Sequence, residues 1–351
     1  MTSRMRLETA EAPAAVRALL ERQWPALEAL GAELRHRTPL SLLTVARGSS
    51  DHAAHYMAYL VMARLGRLVT SLPMSLVTLY RSRLVCDGLV ALAFSQSGQS
   101  PDLVAPIEYI GAHGGRTVAF VNDADSPLAA AAQRVFALQA GPERSVAATK
   151  SFIAQMAAGA AFVAAWQADV ALHQALLRLP QDLAQADALS DAPAWQAAAR
   201  QLSGVRQLYV IGRGTGLSVA QEIALKFKEV CGIQAEAFSG AEVQHGPMAL
   251  IEAGFPVVVL APRGPAQSGL LEWAAHMRGR GASVLLAANG SAGLGSEASD
   301  EARLPLVETA DEDLDPIAAA QSFYALIEAL ARARGLDPDQ PPHLSKVTRT
   351  R

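Results

Sequence analysis

The chain has 351 residues, 51% apolar and 18% charged, a balance that excludes a disordered polymer and leaves material for two cores of ordinary size. Lys and Arg total 30 against 33 for Asp and Glu, so the net charge of −3 offers no basic excess for a nucleic-acid partner. The two cysteines, Cys86 and Cys231, are too few and too far apart for a disulfide framework or a CxxC site, which favours a reducing compartment.

The first residues, MTSRMRLETAEAPAAV, carry acids and no apolar core, so no signal peptide is expected. The longest apolar stretch, around Ala154–Trp166, is interrupted by Gln155 and too short for a membrane span. A soluble, cytoplasmic protein is expected. From about Pro13 to Arg35, Val16, Leu19, Leu20, Leu27, Leu30 and Leu34 recur at helical spacing, with no chemistry evident. Runs that are apolar throughout follow at Leu42–Ala46, Val90–Phe94, Thr117–Val121 and Val135–Leu138, as suits strands buried on both faces of a parallel sheet. Helices are predicted at His52–Leu65, Pro101–His113, Ser126–Gln133 and Thr149–Leu177. A polar, Pro-punctuated stretch near 178–195 reads as a helical linker. Beyond it, strands are predicted at Gln207–Ile211, Pro256–Leu260 and Ser283–Ala288, and a helix at Pro316–Ala333.

The two halves look alike. LLTVARGSSDHAAHYMAYL and QLYVIGRGTGLSVAQEIAL share a strand, Arg-Gly, a small polar residue and a helix. One constant spacing separates Gly48 from Gly214 and Ser95 from Ala261, which points to duplication. The expected fold is α/β, with two tandem doubly wound parallel-sheet domains of flavodoxin-like type, an N-terminal helix and a C-terminal tail. The expected segments are 1–35 (helical), 36–180 (first domain), 181–195 (linker), 196–335 (second domain) and 336–351 (tail). Where the first copy has Ser95, Gln96, Ser97 and Gly98, the second has Ala261, Pro262, Arg263 and Gly264. Lost hydroxyls suggest a lost ligand, so one phosphate site per chain is expected.

That site is read at Ser95–Ser100, where a strand ends and a helix begins. Three hydroxyls, the flexible Gly98 and a helix N-terminus opened by Pro101 suit a dianionic phosphate. Ser49 and Ser50 stand at the equivalent strand end and could cap a helix or touch the same ligand. Gly212-Arg213-Gly214-Thr215-Gly216 resembles a dinucleotide loop but has Leu217 where the last glycine belongs. There is no Walker loop, HExxH or metal-spaced cluster, and His52 and His55 lack further ligands. No metal or cofactor is expected. Lys226-Phe227-Lys228-Glu229 ends an apolar helix and reads as a solvated charged face. Gln244-His245-Gly246-Pro247 places a histidine, the usual acid or base near neutrality, in a restricted turn. In the basic tail PPHLSKVTRTR, Lys346 could reach an anion.

The motifs ARGSS, SQSGQS, VAATKSF, ALKFKE, AEAF–GAEVQHGP and LSKVT, in this order from Arg47 to Thr348, resemble the sugar-isomerase (SIS) family. They are most similar to the isomerase half of glutamine–fructose-6-phosphate aminotransferases and to stand-alone glucosamine-6-phosphate deaminases. The resemblance implies a phosphate cradle of Ser50, Ser95, Gln96, Ser97 and Ser100, and a sugar site lined by Val146 and its neighbours. It implies that Glu229 moves a proton between C1 and C2, and that His245 opens the ring from a partner subunit in a homodimer with shared active sites. Lys346 would close over the sugar. Ala148 stands where the aminotransferase pattern has serine, and neither a glutaminase domain nor its N-terminal nucleophilic cysteine is present in the sequence. Both features, with the KVT ending, resemble the deaminases. The expected activity is conversion of glucosamine 6-phosphate to fructose 6-phosphate and ammonia. Another amino-sugar phosphate, such as galactosamine 6-phosphate or fructosamine 6-phosphate, and a non-catalytic sugar-phosphate sensor are the alternatives.

Overall fold

Apolar runs with no polar face become strands covered on both sides. The computed structural model describes residues 2–289 and 303–346. Helices α1 (Arg4–Ala10) and α2 (Ala12–His36) precede a first sheet of β1 (Ser41–Val45), β2 (Val69–Ser71), β3 (Leu89–Ser95), β4 (Arg116–Val121) and β5 (Arg134–Ala137). Between these strands run α3 (Ser49–Leu65), α4 (Ser75–Thr78), α5 (Pro101–Ala112) and α6 (Pro127–Ala131). Then come α7 (Lys150–Gln167), α8 (Val170–Leu189) and α9 (Pro193–Leu202). The second sheet holds β6 (Gln207–Gly212), β7 (Gln234–Ser239), β8 (Pro256–Ala261), β9 (Ser283–Ala288) and β10 (Arg303–Pro305), with α10 (Thr215–Cys231), α11 (Gln267–Gly279) and α12 (Asp315–Ala333).

All strand pairs are parallel, in the orders β2-β1-β3-β4-β5 and β10-β9-β8-β6-β7. Counted from its own first strand, each sheet reads 2-1-3-4-5, the flavodoxin-like order. The two strand-to-helix turns also repeat: Gly48 has φ 53°, ψ −134°, and Gly214 has φ 63°, ψ −137°. The duplication seen in the motifs is a duplication of topology.

The described residues form two compact units. The sheet-one unit takes Glu11–Glu143, Lys150–Leu177 and, at its end, Ser345 and Lys346. The sheet-two unit takes the segment ending at Ala10, Arg144–Thr149 and the described part of Arg178–Leu344. In the first, Ala91, Ala93, Ala119 and Val121 of the sheet pack on Leu103, Ile107 and Ile110 of α5. In the second, Ile211, Val257, Val259 and Leu286 pack on Leu270, Trp273 and Met277 of α11.

Three strands escaped the sequence reading: β2 and β10 are three-residue edges, and β7 (QAEAFS) is only partly buried. The single helix expected at Thr149–Leu177 is two. Ala168 adopts φ 56° and ends α7, and Asp169 Oδ1 accepts from Leu172 N–H at 3.0 Å to start α8. No described helix is long and apolar enough to cross a membrane.

Candidate active site

A sheet of this order opens a crevice at the carboxyl ends of its first and third strands, where the connections leave for opposite faces. β1 and β3 are register neighbours, Val45 opposite Ala93, so the segments that follow them emerge together. Ser49 and Ser50 form the first turn of α3; Ser100 precedes α5, and Pro101 opens it. Two helix N-termini therefore bring partial positive charge to the carboxyl end of the sheet.

The serine loop is held by its own hydroxyls. Ser95 Oγ accepts from Gly98 N–H at 2.9 Å, and Ser97 Oγ accepts from Gln99 N–H at 3.3 Å. Position 98 must be glycine: φ is 62°, and a Cβ there would lie 2.1 Å from Ser126 Oγ. Ser126 cannot move away cheaply, since it is buried and caps α6 through Ala129 N–H. Ser95 is buried, whereas Gln96, Ser97 and Ser100 are half-buried. The oxygens of Ser95 and Ser97 thus shape the turn, which leaves their protons to be donated elsewhere. Beside the loop, Arg47 Nε donates to the buried Asp102 at 3.0 Å. Burial raises the Asp51 carboxyl above its ordinary value, against the pull of His52, His55 and Arg47.

Two more candidates belong to this unit. Ser50 Oγ accepts from Gln155 Nε2 at 3.0 Å. Lys346 Nζ donates to Glu143 at 2.9 Å, and that fully buried carboxylate also accepts from Ser151 N–H and Oγ–H at 3.1 and 2.7 Å. Val347 and Thr348 of the tail motif lie outside the described residues.

Glu229, His245, Val146 and Ala148 belong to the sheet-two unit. On α10, Lys226 lies between two carboxylates at helical spacing: it donates to Glu229 and pairs with Glu222 at 3.3 Å. Tyr324 of α12 donates to Glu222 Oε1 at 3.0 Å. The side chains of Glu222 and Lys226 are each 1% exposed and that of Glu229 is 24%. Burial works against the Lys226 ammonium, but Glu222 and Glu229 outweigh it and hold the group above the ordinary lysine value. The solvated face expected here holds for Lys228, which is exposed, and fails for Lys226, whose two acids make burial tolerable. The result is a carboxylate fixed on its protein side by an ammonium and open on the other, an arrangement able to take and return a proton.

His245 is exposed at the end of a 3₁₀ turn, Glu242–His245, and the next residue, Gly246, has φ 146°. In the segment Arg144–Thr149, Ser145, Ala147 and Thr149 are buried, while Val146 and Ala148 are half-buried. This alternation is fixed from behind. Glu8 accepts from the N–H groups of Arg144 and Ser145 at 2.5 and 3.1 Å, and Asp339 O accepts from Val146 N–H at 3.1 Å. Glu8 holds this segment, and Glu11 pairs with Lys150 of α7.

In the second copy, Arg263 occupies the place of Ser97. Its guanidinium binds Asp315 at 2.7 and 2.8 Å and Thr309 O at 2.6 Å. The loop that carries the serines in one sheet is committed to an internal ion pair in the other. Among the described residues, no group of His, Cys, Asp and Glu is arranged for a metal ion, and both cysteines are free and buried.

The sequence matches the SIS domain over residues 37–165 and 201–332. The chain belongs to the SIS family. The two SIS segments correspond to the two sheets with their helices, and α8 lies between them. This SIS chain is 33% identical over 345 residues to an isomerizing glutamine–fructose-6-phosphate aminotransferase of Methanothermobacter thermautotrophicus, covering 97% of this chain and 56% of the relative. It spans about half the length of the curated relatives it matches. A proposed phosphosugar isomerase from Silicibacter pomeroyi DSS-3 superposes with a TM-score of 0.87 at 40% identity, over 96% of this chain and all of that one. The C-terminal domain of glucosamine-fructose-6-phosphate aminotransferase from Francisella tularensis gives 0.86 at 22% identity over 97% and 99% of the two chains, a likeness of fold.

Proposed function

We propose that this SIS protein is an enzyme acting on a hexose 6-phosphate, and specifically a glucosamine-6-phosphate deaminase. The observation that carries the reading is the presence in one chain of both a serine-built turn at a sheet's switch point, suited to an anion, and a carboxylate clamped by a buried lysine. A sensor of sugar phosphates needs the first and has no use for the second. Ala148 supports the deaminase over the aminotransferase pattern, which carries a serine there. The proposed phosphosugar isomerase at 40% identity supports the broader assignment.

In this reading the phosphate accepts hydrogen bonds from the hydroxyls of Ser50, Ser95, Ser97 and Ser100 near the positive ends of the two helices, with Gln96 beside them. His245 moves the proton that opens the ring, and Lys346 covers the ligand. Glu229 takes the proton from C2 of the open-chain sugar and returns it at C1. That transfer leaves an imine at C2; water adds, the C–N bond breaks, and ammonia departs as fructose 6-phosphate forms. Proton transfer and hydrolysis balance without an electron carrier.

The test is to incubate the protein with glucosamine 6-phosphate and measure ammonia and fructose 6-phosphate together. One of each is expected per substrate consumed, with unphosphorylated glucosamine turned over far more slowly. A ketose phosphate formed with no ammonia from any amino-sugar phosphate would sink the deaminase and leave a phosphosugar isomerase.

We further propose a homodimer in which His245 serves the neighbouring copy, a role that suits an exposed histidine on a stiff turn. Glu229→Gln and His245→Ala, each inactive alone, should regain activity when mixed and allowed to exchange subunits, because a mixed dimer contains one intact site. Full activity from a monomer would overturn this.

A further inference from the structure

Helix α7 is buried from Lys150 to Trp166, and almost every side chain on it is apolar or fully hydrogen-bonded. Gln155 is an exception. It is 1% exposed, its Nε2 donates to Ser50 Oγ at 3.0 Å, and its Oε1 has neither a hydrogen-bond partner nor contact with solvent. A carboxamide buried with its acceptor unpaired destabilises the fold, and a methionine of similar volume would not. The sequence retains a polar group where an apolar one would be more stable, and the single bond that group makes is to Ser50.

The fold is built to permit that bond. Gly159 lies one turn beyond Gln155 on the same face of α7, and a Cβ there would sit 2.8 Å from Met57 Cβ. Met57 in turn lies two turns beyond Ser50 on α3. The glycine lets the two helices approach, and the approach brings Ser50 within reach of Gln155.

We propose that Gln155 is a positioning residue for the anion crevice, orienting the Ser50 hydroxyl. An N–H donated to Ser50 Oγ occupies one lone pair and directs the serine's own proton elsewhere, where an incoming phosphate can accept it. Among the described residues no hydrogen bond donated by that hydroxyl is seen. Turned the other way, the carboxamide would accept Ser50's proton, and the serine would present a lone pair to the anion. The orphaned Oε1 is the structural cost of the productive orientation. The inference rests on the reading of Ser50 as part of the phosphate cradle.

The test uses the full chain and fructose 6-phosphate as the probe, with affinity measured by calorimetry and stability by thermal unfolding. Gln155→Met should weaken binding about five- to tenfold, part of what one hydrogen bond to a charged group is worth, because Ser50 keeps its hydroxyl and loses only its orientation, while the melting temperature stays equal or rises. Gln155→Glu should weaken binding further, because a carboxylate accepts Ser50's proton and repels the phosphate. Adding Gln155→Met to Ser50→Ala should cost nothing beyond Ser50→Ala alone, since the two act through one hydroxyl. Wild-type affinity in Gln155→Met overturns the inference. So does a lower melting temperature together with losses that add to those of Ser50→Ala, the mark of a purely structural side chain. Failure of the wild-type protein to bind fructose 6-phosphate would overturn the cradle itself, and is seen before any variant is compared.

Discussion

Glu229→Gln is expected to lower turnover of glucosamine 6-phosphate by about 10²–10⁴, the range for losing a positioned general base, with KM nearly unchanged. The substitution keeps the side chain's size and its hydrogen bond to Lys226, and removes only the ability to carry a proton. The local charge changes from two carboxylates against one ammonium to a balanced Glu222–Lys226 pair, still buried and still held by Tyr324. Folding should therefore be untouched, and a thermal scan alongside the assay would show it. If kcat stayed within threefold of wild type, the proton would have to move through another group, and the role given to the α10 cluster would be wrong.

The second large effect concerns stability. Asp315→Ala should destabilise the protein by about 3–5 kcal/mol, as expected when one partner of a buried ion pair is removed. Asp315 is fully buried and receives Arg263 Nε and Nη2, Thr309 N–H and Thr309 Oγ1–H. Truncation strands Arg263 Nε and Thr309 N–H, while Arg263 Nη2 keeps Thr309 O and the Thr309 hydroxyl keeps Asp311 O, and it removes a negative charge from the first turn of α12, where it suits the helix dipole. Urea unfolding measures the change. A useful comparison is Arg134–Glu33, whose side chains are 64% and 41% exposed and whose loss should cost about 0–1 kcal/mol. If the two substitutions proved equally mild, the Arg263–Asp315 pair would not be holding the second copy's loop.

Much of this molecule was legible in the sequence because parallel strands buried on both faces leave uninterrupted apolar runs. β1, β3, β4, β6, β8 and β9 all showed themselves in this way. Edge strands such as β2 and β10, with three residues each, carry too little apolar material to register. The serine loop was visible because its hydroxyls and Gly98 answer to local geometry. Lys226 and Gln155 were not, since a charged or amide side chain in a helix looks the same in sequence whether it faces water or a buried partner. The spacing of Glu222, Lys226 and Glu229 did hold a signal: acids flanking a lysine at three and four residues share one helix face. Glu8 and Asp339 carried none, because their amide partners lie more than a hundred residues away in sequence. The second copy's Arg263 was noticed as a missing serine, but its role as a plug depends on Asp315, which only folding brings to it.

The path of the chain through its two compact units has a consequence for how the repeat can be handled, by experiment or by evolution. The backbone passes from one unit to the other between Ala10 and Glu11, Glu143 and Arg144, Thr149 and Lys150, Leu177 and Arg178, and Leu344 and Ser345. Neither half is therefore a cassette. A gene fragment ending near the last residue of the first SIS match would keep sheet one and lose Lys346, the cation that Glu143 holds. A fragment starting at the second match would keep sheet two and lose Glu8 together with the backbone amides it binds. The two repeats can be inherited and can diverge, but neither can be lifted out and traded as a module.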